Sequence, residues 1–252
     1  MARTALITGA SSGIGREIAR ELDRRGFRVI LAARREERLI ELAAELSDAR
    51  IITCDLSSAE ECQRLYDEVR DERVTVLVNN AGFGKLGRFE DIPLEDELRM
   101  IDVNVRAVHI LTKLFLKDLI DEDRGYILNV ASSAGLMPGG PMMAAYYATK
   151  AYVTSLTGAI YDELQWIASN VSVSALCPGP VDTEFNDVAD ANFGVKAITA
   201  EYCAKRAVKG MFARELIIVP ERGLNIAAKA AQLAPRKLSL AVTGQLQRSK
   251  SK

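Results

Sequence analysis

Cysteine, histidine and long apolar runs are scarce in this 252-residue chain, and each scarcity removes a class of function. Four cysteines, Cys54, Cys62, Cys177 and Cys203, show no paired spacing, which argues against a disulfide scaffold and predicts reduced thiols in a cytoplasmic compartment. His109 is the sole histidine, so no metal-ligand cluster is expected, and nothing in the pattern pairs with it to make a catalyst. No run of eighteen apolar residues and no signal-peptide pattern follow Met1-Ala2-Arg3, so neither a membrane span nor export is expected. A Pro/Gly/Ser-rich linker is also missing, which predicts one domain over residues 1–252.

What is present fits a folded enzyme-sized unit: 48% hydrophobic and 27% charged residues suffice for a large buried core. The overall net charge of −1 hides an asymmetry. Residues 205–252 hold eleven Lys/Arg against Glu215 and Glu221 alone, so the basic excess belongs to the chain's last fifth. It reads as a solubilising end or as a contact with an anionic surface; without a recognised module it does not predict nucleic-acid binding.

Short apolar runs alternate with amphipathic stretches along the chain. Strands are predicted at Thr4 to Thr8, Arg28 to Ala33, Ile51 to Cys54, Val74 to Val78, Tyr126 to Val130, Val171 to Leu176 and Leu216 to Val219. Helical stripes follow them, including Glu36 to Leu46, one continuous helix from Pro93 to about Ile120, and another from Tyr146 to about Trp166. Ser57 or Ser58 should cap the helix after the third strand, and Thr199 the one reaching Phe212. This rhythm predicts an α/β fold: a Rossmann-type doubly wound parallel sheet of about seven strands in three α/β/α layers.

Ligands in such sheets bind at the carboxyl ends of the strands, where the informative turns fall. The first is Thr8-Gly9-Ala10-Ser11-Ser12-Gly13-Ile14-Gly15, whose glycines allow a tight turn and whose backbone amides, at a helix N-terminus, suit a pyrophosphate. The tip of the second strand reads Ala33-Arg34-Arg35: no acid for a ribose 2′-hydroxyl, but two guanidiniums suited to a 2′-phosphate, which favours NADP(H) over NAD(H). Asp55-Leu56 and Asn79-Asn80-Ala81-Gly82 end the third and fourth strands. Asn104 lies inside an apolar helical stripe, where a polar amide must be either a structural bridge or a site residue. Tyr146 and Lys150 stand four apart, on one helix face about 6 Å apart along the axis. The loop Leu136 to Met143, rich in methionine and breakers, could wall a ligand or pack on the sheet, and residues 184–198 are expected to form a lid.

Together these motifs resemble the short-chain dehydrogenase/reductase family in order and spacing over about residues 3–200. The resemblance implies a catalytic set of Asn104, Ser132, Tyr146 and Lys150, with Tyr146 as general acid/base, Lys150 lowering its pKa and binding ribose hydroxyls, and Asn104 holding a relay water. Ser132 is preferred to Ser133 because strand register fixes which side chain meets the site. Tyr147 is passed over because Ala151, not an amine, lies four residues on. The implied cofactor set is Gly9, Ser11, Ser12, Gly13, Ile14, Gly15, Arg34, Asp55, Leu56, Asn79, Ala81, Gly82, Tyr146, Lys150, Pro178, Gly179, Val181 and Thr183. The expected activity is NADPH-dependent reduction of a ketone or aldehyde to an alcohol, or its reverse, in a homo-oligomer. A dinucleotide sensor or scaffold on the same fold is the alternative. After residue 215 the chain departs from the family pattern; segment 221–252 lacks the usual Val-Asp-Gly-Gly tail. That leaves dimer and tetramer both open, and suggests either a packed helix or a peripheral membrane contact.

Overall fold

The computed structural model describes residues 3–185 and 197–248. Its main sheet has seven parallel strands in the order β3-β2-β1-β4-β5-β6-β9. These are β1 (Arg3–Thr8), β2 (Phe27–Ala33), β3 (Ala49–Thr53), β4 (Val74–Asn79), β5 (Gly125–Val130), β6 (Val171–Leu176) and β9 (Ile217–Ile218). The strands are apolar almost throughout because both sheet faces are covered. On one face Ala5, Ile7, Val29, Leu31, Val76 and Val78 pack under α1 (Gly13–Asp23), α2 (Glu36–Ala43) and α7 (Ala200–Phe212). The alternate residues Leu6, Ile30, Leu77 and Ile127 pack under α3 (Ala59–Val69), α5 (Val108–Asp121) and α6 (Ala144–Trp166). The period of two along each strand therefore produces the three layers.

Helix starts follow the capping chemistry. Ser58, not Ser57, caps α3 by accepting from the Glu61 amide at 3.2 Å, and Thr199 caps α7 by accepting from Tyr202 at 3.2 Å. A small parallel pair, β7 (Val181–Asp182) with β8 (Ile198–Thr199), lies beyond β6. Most of the expected lid, residues 186–196, lies outside the described residues. The last described elements are α8 (Arg222–Leu233) and α9 (Arg236–Arg248), separated at Pro235.

The continuous helix expected from Pro93 to Ile120 is interrupted. It consists of α4 (Leu94–Ile101), a π-helical turn (Asp102–Ala107) and α5. The apolar stripe runs through all three, so periodicity alone carried no sign of the wider turn. Asn104 sits in it, completely buried. Such turns recur at functional sites because the extra residue re-aims a side chain.

Candidate active site

A cleft of about 540 Å³ runs across the carboxyl ends of β1, β2, β4, β5 and β6. One end is the glycine turn. Gly9 has φ +64°, and a Cβ there would fall 2.8 Å from the Ala81 Cα, so this position needs glycine for conformation and for close approach. Ser11, Ser12, Gly13 and Ile14 line the cleft as α1 begins. Ser12 is the N-cap but accepts no side-chain hydrogen bond from the first turn, which leaves those amides aimed at the cleft without a capping oxygen. Gly15 is absent from the wall. A Cβ on it would lie 2.3 Å from the Asn80 Nδ2, so its part is to let Asn80 pack.

Asn80, which sequence reasoning passed over, clamps the turn: its Nδ2 donates to the Thr8 and Gly9 carbonyls at 2.9 and 3.1 Å. Asn79, expected along the cofactor ribose, does not send its side chain into the cleft. Its side chain points to the opposite sheet face, donating to Thr112 Oγ1 at 3.0 Å and Asn129 Oδ1 at 2.9 Å, with Asn129 in turn donating to Thr157. Counting by twos from Leu77, which packs under α5 and α6, would have placed Asn79 there.

The middle of the cleft holds the expected reacting groups. Tyr146 and Lys150 share the buried face of α6. The Ser132 and Tyr146 side chains both line the cleft, whereas Ser133 is fixed through its backbone amide to the Pro178 carbonyl. Lys150 Nζ donates to the Val130 carbonyl at 2.8 Å and lies 5.9 Å from the centre of the Tyr146 ring. The turn Ser133–Leu136 seats directly on α6: a Cβ on Gly135 would come within 2.4 Å of the Lys150 carbonyl oxygen.

Asn104 takes the bridging role. It donates to the Phe83 carbonyl at 2.9 Å and to Thr149 Oγ1 at 3.1 Å, and accepts from the Phe83 amide at 3.1 Å. Its side chain thereby ties the loop after β4 to α6. His109 is solvent-exposed and pairs with Tyr152, 2.6 Å away.

Burial pushes the Tyr146 phenol up to about 12, with Ser132 opposing, and lowers the Lys150 ammonium to about 8. Desolvation penalises phenolate and ammonium alike.

The adenosine end and the roof meet in three consecutive residues. Arg34, Arg35, Asp55 and Leu56 edge the cleft beyond β2 and β3. Arg35 crosses the glycine turn, donating to Ser11 at 3.2 Å and Ser12 at 3.0 Å. From the opposite wall come Thr183, whose side chain packs against Gly13, Glu184, which pairs with Arg35 at 2.9 Å and with Arg38, and Phe185, whose ring centre is 5.5 Å from that of Tyr146. Pro178, Gly179 and Val181 line the same wall, and the Gly179 amide donates to Glu221 at 3.1 Å. Neither Glu184 nor Phe185 could be matched to its partner from sequence, since the contacts span 149 and 39 positions.

Around Tyr146 the wall is Phe83, Met143, Tyr147 and Phe185. The loop before α6 divides its labour: Met143 faces the cleft, while the Leu136 and Pro138 carbonyls accept from Gln232 and Arg236, and Leu240 packs on Gly139. Helices α8 and α9 thus cover the outer side of the loop.

The geometry fits a dinucleotide: uncapped amides over glycine at one end, guanidiniums at the edge, a phenol and an amine at the centre, and a volume in the usual small-molecule range of roughly 300–1,000 Å³. Fold and cleft together define a Rossmann-type nucleotide-binding α/β protein. The model of short chain dehydrogenases matches residues 3–192, and the chain belongs to the short-chain dehydrogenase/reductase family. It is 36% identical over 186 residues to a 3-oxoacyl-acyl-carrier-protein reductase of Rickettsia bellii, covering 73% of this chain and 75% of the relative. Among solved structures it resembles a short-chain dehydrogenase from Sphingobium yanoikuyae in complex with NADPH (TM-score 0.84, 30% identity, 94% of each chain). It also resembles a family member from Burkholderia phymatum in complex with NAD (TM-score 0.83, 26% identity, 90% and 92% of the chains). The chain is accordingly an oxidoreductase of the CH–OH/C=O type that uses a nicotinamide dinucleotide.

Proposed function

We propose that this oxidoreductase is an NADPH-dependent carbonyl reductase that converts a ketone or aldehyde to an alcohol, or runs the reverse reaction. The observation that carries this reading is the Tyr146 phenol, buried in a cleft that Lys150 and Ser132 also line. A bound dinucleotide supplies the hydride. Ser132 orients the carbonyl oxygen by hydrogen bonding, and Tyr146 gives that oxygen its proton. Because burial holds the phenol neutral at physiological pH, Tyr146 stands in the acid form that reduction consumes. Lys150 spends one donor on Val130 and retains the capacity to hold ribose hydroxyls. Asn104 positions α6 against the loop after β4.

Arg34 and Arg35 at the cleft edge, with Ala33 where an acid would favour NADH, support the NADPH preference. Phe83, Met143, Tyr147 and Phe185 support a substrate with an apolar body. The four cysteines are free and buried, which supports a reducing, cytoplasmic setting. Exposed Leu94, Leu98 and Ile101, at i, i+4 and i+7 around α4, support a second copy of the chain as a neighbour. Exposed Leu233 and Leu238 flank exposed Arg236 and Lys237, which supports contact of α8 and α9 with an anionic membrane surface. Binding to anionic vesicles at low salt and release at high salt is the expected result, and no binding at low salt would discard that contact.

The activity itself is tested by following NADPH absorbance across a panel of ketones and aldehydes. Turnover with NADPH should exceed that with NADH, and Ser132→Ala should lose about 10²-fold in kcat while Ser133→Ala loses far less. NADPH binding without oxidation across the panel would favour the sensor reading instead.

A further inference from the structure

The sequence lacks an acid at the tip of β2, yet the structure brings a carboxylate there from the other wall. Glu184 bonds Arg35 at 2.9 Å and also pairs with Arg38. Four of the five Arg35 N–H groups have protein partners: Nη1 donates to Glu184, Nη2 to Ser11 and Ser12, and Nε to Ser11 at 3.4 Å. Arg34, Ser11, Ser12 and Glu184 all line the cleft at this end. A cofactor phosphate that seeks Arg35 must therefore share it with, or take it from, a negatively charged side chain.

We infer that Glu184 is a specificity-determining residue that works against the cofactor's 2′-phosphate and so restrains the preference for NADPH over NADH. The inference rests on the NADPH-dependent reading above. A 2′-phosphate brings roughly −1.5 to −2 charges at neutral pH, like the monoesters of modified side chains, and a carboxylate on the same guanidinium repels it. NADH presents only hydroxyls there, which a carboxylate tolerates as an acceptor. Glu184 and Arg35 are each about two-fifths exposed, so solvent and salt moderate the repulsion without removing it. The alternation of charges is consistent with the sequence position: Glu184 directly follows Thr183 on the turn after β6, which lies against Gly13. It is thus held to the glycine turn by its neighbour as well as by its ion pairs.

The test is direct binding, read from nicotinamide fluorescence, of NADPH and NADH to wild type and Glu184→Gln at low and high salt. Glu184→Gln should bind NADPH about fivefold more tightly at low salt, bind NADH unchanged, and lose most of that gain at high salt. An unchanged NADPH-to-NADH ratio, weaker NADPH binding, or equal tightening of both would overturn the inference while leaving the carbonyl reductase reading intact. Failure of wild type to bind either dinucleotide would overturn the dinucleotide reading and this inference with it.

Discussion

Tyr146→Phe should reduce kcat by about 10²- to 10⁴-fold while NADPH still binds and the fold is retained. The substitution removes one oxygen from a ring whose packing is otherwise preserved: Phe185 and Tyr147 face it with ring centres 5.5 and 6.4 Å away. What is lost is the phenolic proton donor. The Ser132 hydroxyl keeps the bond it accepts from the Ala134 amide at 3.1 Å, so the truncation does not leave Ser132 without a partner. Tyr147→Phe is the control. That ring lies against Gly140, where a Cβ would fall 2.3 Å from it, and it stands in the wall of the cleft. Its variant should change KM more than kcat. If Tyr146→Phe turns over normally, or if Tyr147→Phe is the inactive one, the assignment of the acid is wrong.

The juxtaposition of Tyr146 with Lys150 was legible because it needed only a helical period and a lysine four residues on. So were the glycine turn, the parallel sheet implied by alternation, and the position of Ser132 at the end of β5. These features are local: each depends on neighbours within a turn or along one strand. The interrupted helix was not legible, because its apolar stripe continues through the π turn that carries Asn104. The opposite directions of the Asn79 and Asn80 side chains needed one step of strand parity that the motif alone does not display. Glu184 could not have been matched to Arg35 at all, since nothing short of the folded sheet brings the β2 tip to the turn after β6. The role of the divergent C-terminal segment was equally hidden: Gln232 and Arg236 reach the carbonyls of Leu136 and Pro138 only once the loop has been built beside them. Chemistry concentrated on single elements could be read in advance, and chemistry assembled across the cleft could not.

Lys150→Met should lose turnover on a similar scale and, in addition, change how stability depends on pH. In wild type the amine is 4% exposed, with one hydrogen bond to the Val130 carbonyl, and burial lowers its pKa from 10.5 to about 8. The unfolded chain therefore binds more protons than the folded one between about pH 8 and 10.5, and stability rises with pH across that window. Below pH 8 the full cost of keeping an ammonium buried is present; as pH rises through 8 the folded state sheds the proton and the cost is relieved. Tyr146 acts in the opposite sense but higher, its raised pKa of about 12 withdrawing stability only above pH 10. Methionine of similar length carries no charge to desolvate, so the rise between pH 8 and 10 should flatten, as measured by denaturant unfolding at a series of pH values. The variant also leaves the Val130 carbonyl without this donor, which limits any gain at pH 7 and makes the slope, not the absolute stability, the decisive quantity. An unchanged slope would mean that Lys150 is not desolvated in the folded protein. A flattened slope together with lost turnover would show that the chain tolerates a buried, destabilising amine at this position because the reaction requires it there.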